Sequence, residues 1–215
     1  IYIDNIYMYI LSIDVGIKNL AHCLLDVVDS SYTIIAWDSI DLSTDYMIYC
    51  NNSNCNNLAK CSLNNINYCQ KHSKSLHNTK NIEQIKVSDI SLPKIGLQLK
   101  ENYDKIFNNT KIDVVIIENQ LSPLASRMKT LQGMITQYFI DNNVTNIEYI
   151  SATNKLKEYS DKKMSYNERK KLSVQTVKDK LKDGWLEYFI KNKKKDDLAD
   201  TLLQALFYIK LMRRT

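Results

Sequence analysis

The chain has very little glycine, with four residues among 215, and only two prolines. Actin-like ATPases and sugar kinases hold nucleotide phosphates in glycine-rich loops and need a second, duplicated domain. Asp14 and Gly16 form an Asp-x-Gly motif near the first strand, which those proteins also have. The shortage of glycine nevertheless argues strongly against a phosphate-loop ATPase or kinase.

The sequence also lacks a stretch apolar enough to span a membrane. Asp4 and Asn5 interrupt the apolar N-terminal residues, and no basic stretch precedes them, which disfavours a signal peptide. We therefore expect an intracellular protein in a reducing compartment, where clustered cysteines bind metal rather than form disulfides. The length predicts one domain over residues 1–215 that carries an insertion.

Four acidic residues lie at the ends of predicted strands or on a predicted helix, where their side chains can meet at one place. Asp14 and Glu118 each end an apolar run, whereas Asp197 and Asp200 lie three apart at the head of the last helical stretch. Mg2+ prefers oxygen ligands and lets substrate phosphates complete its shell. Two such ions, about 3.5–4 Å apart, stabilise both the attacking and the leaving oxygen of a phosphodiester. The pattern predicts a carboxylate site for two divalent ions.

Each acid has a simpler explanation when it is taken alone. Asp14 before glycine fits a turn, and Asp197 with Asp200 fits a helix N-terminus. Glu118 is harder to dismiss, because an acid directly after an apolar run would be half-buried unless something pairs with it. Their occurrence together, in strand, strand and final-helix order, favours the metal site.

Three segments resemble the acidic motifs of RuvC-type Holliday junction resolvases, and they occur in the family's order. They are IDVGIKNLA at 13–21, IIENQ at 116–120 and KDDLAD at 195–200. The resemblance is greatest to the poxvirus and large-DNA-virus branch of the ribonuclease H-like superfamily. It implies a homodimeric, Mg2+-dependent endonuclease, with Mn2+ as a substitute ion, that makes paired nicks in a four-way DNA junction.

The same resemblance assigns roles to the acids. Asp14 would bridge two ions, Glu118 and Asp197 would bind one ion each, and Asp200 would bind an ion or orient its water. Asp196 falls outside the Asp-x-x-Asp spacing and is left out. The implied reaction is a two-metal hydrolysis that leaves 5′-phosphate and 3′-hydroxyl ends.

A basic segment precedes the last acidic pair. Residues 155–195 contain fourteen lysines and arginines against six acids, a local charge of +8, so the rest of the chain totals −3. This separation suits a protein that grips a polyanion beside an acidic site, although a solvated lysine-rich face is the ordinary alternative. Tyr138, Tyr159 and Tyr166 are candidates for stacking on unpaired bases.

Three lysines are candidates for contact with nucleic acid. Lys171 resembles the lysine that these resolvases place beside the scissile phosphate, where it would neutralise developing charge. Lys170 takes that role if the register differs by one residue. Lys155 matches a second basic position of the family.

A polar, asparagine-rich stretch over residues 46–77 holds four of the five cysteines and too few large apolar groups to form a core. We predict a structural zinc site there, formed by Cys50, Cys55, Cys69 and His72. The alternative set replaces Cys50 with Cys61. Four residues separate the first pair, where a regular zinc finger has two, and free cysteines in an unstructured loop are the other interpretation.

The predicted fold is α/β, a ribonuclease H-like mixed five-stranded sheet flanked by helices, with a small Cys/His zinc-binding insertion. We expect strands at 8–14, 19–27, 32–40, 113–117 and 146–150. We expect helices from near Pro93 to 107 and at 124–140, 154–159, 166–181, 185–190 and 198–212.

Two other functions share this fold core. One is a nuclease that cuts RNA in RNA–DNA hybrids or cuts other branched DNA. The other is a junction-binding protein without catalysis, which ranks last because all four acids are present.

Overall fold

The computed structural model describes residues 7–29, 31–120, 126–152 and 164–213. Lys155, Tyr159 and the expected helix at 154–159 lie outside those ranges. Within them, no helix combines the length and the apolar character that crossing a membrane requires.

The strands in chain order are β1 (Tyr7–Asp14), β2 (Leu20–Val28), β3 (Ser31–Ile40), β4 (Cys61–Leu63), β5 (Ile66–Tyr68), β6 (Lys80–Asn81), β7 (Val114–Glu118) and β8 (Ile147–Ile150). The helices are α1 (Leu92–Phe107), α2 (Ser126–Asp141), α3 (Tyr166–Lys180), α4 (Asp183–Lys191) and α5 (Lys195–Met212).

Five strands form the main sheet in the order β3-β2-β1-β7-β8. β1 and β3 run antiparallel to β2 between them, whereas β1, β7 and β8 run parallel. Asp14 pairs with Ala21, and Ala21 pairs with Ser39. The carboxyl ends of β1, β3, β7 and β8 therefore meet at one edge of the sheet, here called the carboxyl edge. This is the expected ribonuclease H-like arrangement.

Each face of the sheet is covered by helices, because neighbouring side chains of a strand point to opposite faces. Ile10 of β1 packs with α3, α4 and α5, and Leu11 beside it packs with α1 and α2. Both layers exclude water completely at their centres. This double coverage explains why β7 is an almost continuous apolar run, as is typical of a central parallel strand.

The observed strands of the main sheet and the described helices agree with the predicted ones apart from their ends. Pro93 lies in the first turn of α1, as expected from its fixed φ angle. The helix predicted from Leu124 is described only from Ser126. The start predicted for the last helix was wrong, since α5 begins at Lys195 instead of Leu198 and its first turn includes Asp197. Lys194 lacks a side-chain capping bond, so no capping residue marks this boundary in the sequence.

The insertion folds as a second, three-stranded antiparallel sheet in the order β5-β4-β6. β6 lies beyond the predicted end at residue 77, and its Asn81 pairs with Cys61 of β4. The Gln84 side chain then closes the base of the insertion. Its Oε1 accepts from the Ile48 backbone N–H at 2.9 Å, and its Nε2 donates to the Ile48 carbonyl at 2.7 Å.

Asparagine supplies the tight turns of the insertion in a chain that has almost no glycine. Asn54, Asn64, Asn65 and Asn78 all have positive φ angles, between 50° and 64°. The short polar side chain of asparagine lets it adopt this left-handed region more readily than most residues do. The asparagine-rich composition therefore has a structural reason.

Candidate active site and metal centres

Three carboxylates converge at the carboxyl edge of the sheet. Asp14 ends β1, Glu118 ends β7 and Asp200 comes from α5, and one oxygen of each lies within 4.8 Å of the others. All three side chains are half-buried. Like charges this close repel each other, and a bound divalent cation removes that repulsion. The donor set is all oxygen, which fits Mg2+ or Mn2+.

Asp197 lies on the same face of α5, one turn before Asp200, and it lines the same cleft. It is not part of the group of three whose oxygens lie within 4.8 Å. Burial raises the pKa of Asp197, and the negative charges of Asp196 and Asp200 raise it further. The structure thus brings three of the four predicted acids together and places the fourth beside them.

Gln204 fixes α5 against the two strands that carry the other acids. Its buried side chain donates from Nε2 to the carbonyl oxygens of Ile13 and Ile116, each at 3.2 Å. Ile13 directly precedes Asp14, and Gln204 lies about one turn after Asp200. Sequence reasoning missed this residue, although a lone glutamine among the apolar residues of α5 was the available signal.

Trp37 of β3 anchors the beginning of the same helix. Its indole Nε1 donates to the Leu198 carbonyl at 3.0 Å and contacts the Thr201 Oγ1 at 3.1 Å. The ring also stacks on Phe189 of α4, with centroids 5.3 Å apart. These contacts hold the turn of α5 that lies between Asp197 and Asp200.

The turn after Asp14 requires the absence of a side chain at Gly16. A Cβ atom there would lie 2.7 Å from the backbone carbonyl oxygen of Asn19. Real Cβ atoms do not approach a carbonyl so closely, so any larger residue would displace the turn. Glycine is therefore required where the chain folds back directly after Asp14.

Two cationic residues, Arg169 and Lys170, face the acids across a cleft of about 260 Å³. They are here called the basic wall. The residues lining the cleft are Asp14, Glu118, Ala152, Tyr166, Arg169, Lys170, Ser173, Asp197 and Asp200. Tyr166 is 62% exposed at the start of α3. Tyr138, another predicted stacking residue, lies elsewhere, against Tyr103 between α1 and α2.

Lys170, and not Lys171, lies on this basic wall. Its ammonium group forms an ion pair with Asp196 and lies 4.9 Å from the ring centroid of Tyr166. The hydrogen bond to Asp196 is the main reason that the pKa of Lys170 is raised. Lys171 is exposed, and its charge acts on Glu168 of the first turn of α3. The structure thus places Lys170 in the cleft and Lys171 outside its lining, and the catalytic role of either lysine stays a prediction.

A second group of candidate metal ligands lies in the insertion, where Cys50, Cys55, Cys69 and His72 offer ligand atoms within 4.8 Å of one another. The Cys55 and Cys69 sulfurs are 3.8 Å apart, and His72 Nδ1 lies 3.4 Å from the Cys50 sulfur and 3.6 Å from that of Cys69. A tetrahedral zinc ion with ordinary bond lengths requires about 3.8 Å between two sulfurs and about 3.6 Å between sulfur and nitrogen. These three separations are those of a zinc tetrahedron, and all four ligand atoms lie within 4.8 Å of one another.

The backbone around Cys69 supports this group. The backbone N–H groups of His72 and Ser73 both donate to the Cys69 carbonyl, each at 3.0 Å. Hydrogen bonding from the His72 backbone lowers the pKa of the Cys69 thiol, which favours the thiolate form. Cys61 is outside the group, since it begins β4 and pairs with Tyr68 of β5.

The mixed sheet, its two helical layers and the acids at its carboxyl edge define a protein of the ribonuclease H-like class. Residues 10–142 match the family model described as "Mitochondrial resolvase Ydc2 / RNA splicing MRS1". The match covers more than half of the chain. The chain therefore belongs to this family.

Solved structures agree on the fold. The yeast mitochondrial Holliday junction resolvase Ydc2 superposes with a TM-score of 0.53 and 17% identity, over 95% of this chain and 80% of that one. Thermus thermophilus RuvC gives a TM-score of 0.55 at 10% identity, over 95% and 97% of the chains. RuvC in complex with a Holliday junction substrate gives 0.54 at 10% identity, over 95% and 96%.

A curated relative comes from Acanthamoeba polyphaga mimivirus and is called Uncharacterized protein L451. It is 27% identical over 177 residues, which is 67% of this chain. The chain spans 43% of the length of that relative.

Proposed function

We propose that this chain is a divalent-metal-dependent endonuclease that resolves four-way DNA junctions. The observation that carries the proposal is the meeting of Asp14, Glu118 and Asp200 within 4.8 Å, in a cleft whose other wall holds Arg169 and Lys170. Phosphodiester hydrolysis requires carboxylates that bind metal cations and, beside them, cationic side chains that bind phosphate. The Ydc2 and RuvC structures, both named as junction resolvases or bound to a junction, support the choice of substrate.

Each residue of the cleft has a task in the proposed reaction. Asp14, Glu118 and Asp200 would hold two Mg2+ ions, which when bound stabilise the attacking and leaving oxygens of the phosphodiester. Asp197 lines the cleft one turn away but lies outside this group of three, so it would orient the attacking water instead of binding an ion as the resemblance implied. Lys170 lies where its charge offsets the negative charge that develops on the phosphate.

We further propose that the enzyme acts as a homodimer. A four-way junction presents two equivalent strands for cutting, and one chain has a single cluster of this kind among its described residues. Two copies related by a two-fold axis would place one cleft at each strand. Recognition would depend on the shape of the junction, through contacts to phosphates.

The Cys/His group of the insertion is proposed to bind a structural zinc ion. Support comes from the ligand separations, which match a tetrahedron, and from the small apolar content of the insertion. None of the five cysteines, all of which lie within the described ranges, forms a disulfide. Zinc thiolates and free thiols fit a reducing compartment, such as a viral replication site, and the mimivirus relative supports that setting.

A second function deserves a test because the family description also names RNA splicing. Under this alternative, the chain would bind folded RNA without cutting it. The three clustered carboxylates argue against it, since an RNA-binding surface gains nothing from them.

The decisive experiment incubates the purified protein and Mg2+ with a synthetic four-way junction, a linear duplex, an RNA–DNA hybrid and a four-way RNA junction. Asp200→Asn is the test variant, and Asp179→Asn, which removes an exposed acid of α3, is the matched control. We expect paired, symmetric nicks in the DNA junction from the wild type and Asp179→Asn, and binding without nicks from Asp200→Asn. The molar mass of the complex in solution reports two chains for each junction.

Other outcomes would overturn the proposal. Cutting confined to the hybrid would assign a different nuclease, and binding of the RNA junction without cutting any substrate would favour the splicing-type function. Equal cutting by wild type and Asp200→Asn would remove the acidic cluster from the chemistry.

A further inference from the structure

The insertion differs from the rest of the chain in its charge. No acidic residue occurs between Asp45 and Glu83, although the chain has 24 acids among 215 residues. The same stretch holds Lys60, Lys71, Lys74 and Lys80. A zinc ion bound by three thiolates and a neutral histidine contributes only one negative charge, so the insertion stays positive.

Three of these lysines line one groove. Lys60, Lys71 and Lys74 surround an open space of about 580 Å³, together with Asn57, Gln70 and the exposed apolar side chain of Leu58. All three lysines are exposed, and none of them forms an ion pair within the part of the chain that the structure describes. No acidic or aromatic residue is among the described residues that line the groove. The groove therefore offers a concentrated positive charge to an external anion.

The lysines stand on a backbone that is fixed from two sides. Cys69 of the candidate zinc group also lines the groove, and Lys71 lies between it and His72 in the chain. The Lys60 N–H donates to the Tyr68 carbonyl at 2.7 Å, and the Lys60 carbonyl accepts from the Ile82 N–H at 2.9 Å. A rigid base lowers the entropy lost when the side chains engage a ligand.

The insertion rises from the same edge of the sheet as the candidate active site. It leaves the main sheet at the carboxyl end of β3, where the Leu42 N–H donates to the Ile17 carbonyl at 2.8 Å, just after the turn that follows Asp14. It returns through Ile90, whose carbonyl accepts from the Arg127 side chain at 2.6 Å. Both ends of the insertion therefore join the fold at the edge that carries the acids, which places it to contact a polyanion that extends from that edge.

We propose that this lysine groove binds the phosphate backbone of a double-stranded DNA arm that leaves the active-site cleft. The inference rests on the proposed function, and it adds a second contact surface for the same substrate. Duplex DNA carries one charge per roughly 1.7 Å of its axis, so an arm of any sequence can fill a basic groove. The lack of aromatic side chains argues for duplex over single strands, which are bound by stacking.

The test compares two triple variants of the full-length protein that lose equal charge. The test variant carries Lys60→Gln, Lys71→Gln and Lys74→Gln. The control carries Lys100→Gln, Lys105→Gln and Lys111→Gln, on α1 and the loop after it, which lead toward the opposite edge of the sheet. Zinc content per chain shows whether the insertion of each variant remains folded.

Affinity for the four-way DNA junction, for a linear DNA duplex and for double-stranded RNA is measured across a salt series. Log affinity falls linearly with log salt, and each lost phosphate contact makes that slope less steep by about 0.9. The slope of the test variant should therefore be less steep than that of the wild type by roughly 2 to 3, and the slope of the control should be unchanged. Junction cleavage by the wild type is recorded in parallel, because it reports the proposed function separately.

The outcomes separate the two proposals. If the wild type cuts the junction but the test variant keeps its salt slope, the groove proposal fails and the proposed function stands. If the wild type binds DNA without cutting it and the test variant alone loses slope, the groove proposal stands and the nuclease fails. A loss of slope seen with double-stranded RNA but not with DNA would overturn the assignment of the groove to a DNA arm.

Discussion

The side-chain amide of Gln204 donates a 3.2 Å hydrogen bond to the carbonyl oxygen of Ile13, the residue directly before Asp14. The same amide donates to Ile116 of β7 at the same distance. One buried side chain therefore connects the helix that carries Asp200 with both strands that carry the other two acids. The geometry of the acidic cluster depends on a residue that is not itself acidic.

Gln204→Met should weaken the site without removing any ligand. Methionine has a similar volume but no donor, so we expect the free energy of unfolding to fall by about 1–3 kcal/mol. Mg2+ affinity should fall by about tenfold, as for other residues that support metal ligands. Calorimetric titration and denaturant unfolding measure the two effects. Gln175→Met, on α3 and hydrogen-bonded only to Asp179 in the described residues, is the control; equal Mg2+ affinity in both variants would contradict the prediction.

Lys170 and Lys171 should differ sharply in catalysis. Lys170 lines the cleft, so Lys170→Ala should lower the single-turnover cleavage rate by about 100-fold, a typical loss for one group that stabilises transition-state charge. Lys171→Ala removes the same charge from an exposed position and should cut at close to the wild-type rate. Junction binding is measured separately, so that a loss of affinity is not taken for a loss of rate. A larger loss of cleavage rate in Lys171→Ala than in Lys170→Ala would instead assign the catalytic role to Lys171.

Zinc content should distinguish the two candidate ligand sets. Cys50→Ser and Cys69→Ser should each lose the metal, because serine does not replace a thiolate ligand of zinc. Cys61→Ser should keep about one zinc ion per chain, since Cys61 lies in β4 outside the group. Elemental analysis of the purified variants gives the answer. Retention of zinc by Cys50→Ser with loss by Cys61→Ser would favour the alternative set.

Acid should destabilise the fold through His22. Burial lowers the pKa of this histidine to about 4, against an opposing effect of Asp38, and its Nδ1 has no partner among the described residues. The unfolded chain binds a proton near the ordinary pKa of 6.5, so stability is lost as pH falls from about 6.5 to about 4. Between pH 7 and pH 4.5 the loss should be about 2 kcal/mol relative to His22→Leu. Unfolding of both proteins at pH 7 and pH 4.5 measures it, and parallel losses would exclude His22 as the cause.

The main sheet was predictable because its strands and helices have clear apolar periods. Asp14 and Glu118 could be placed at strand ends for the same reason, and parallel strands bring such ends to one edge. The first turn of α5 was not predictable, since Lys194 makes no capping bond and the residues after it are charged. Periodicity therefore located the acids along the chain but not the exact start of the helix that carries two of them.

Contacts between distant residues were beyond the sequence. Gln204 meets Ile13 across 191 positions of the chain, and no local pattern encodes that pairing. The choice between Lys170 and Lys171 likewise depends on the rotation of α3 about its axis. One residue changes that rotation by about 100°. Such a difference decides which lysine faces the acids, and a charged helix with few apolar residues does not reveal it.

The paired hydrogen bonds between Gln84 and Ile48 make the insertion a closed loop with its two ends fastened together. Changes of sequence or length in the insertion beyond these two hydrogen bonds therefore place little strain on the main sheet. Selection can therefore lengthen, shorten or replace the insertion while the acidic cluster keeps its geometry. In such a protein, the insertion can gain a new substrate-binding surface while the active site stays unchanged.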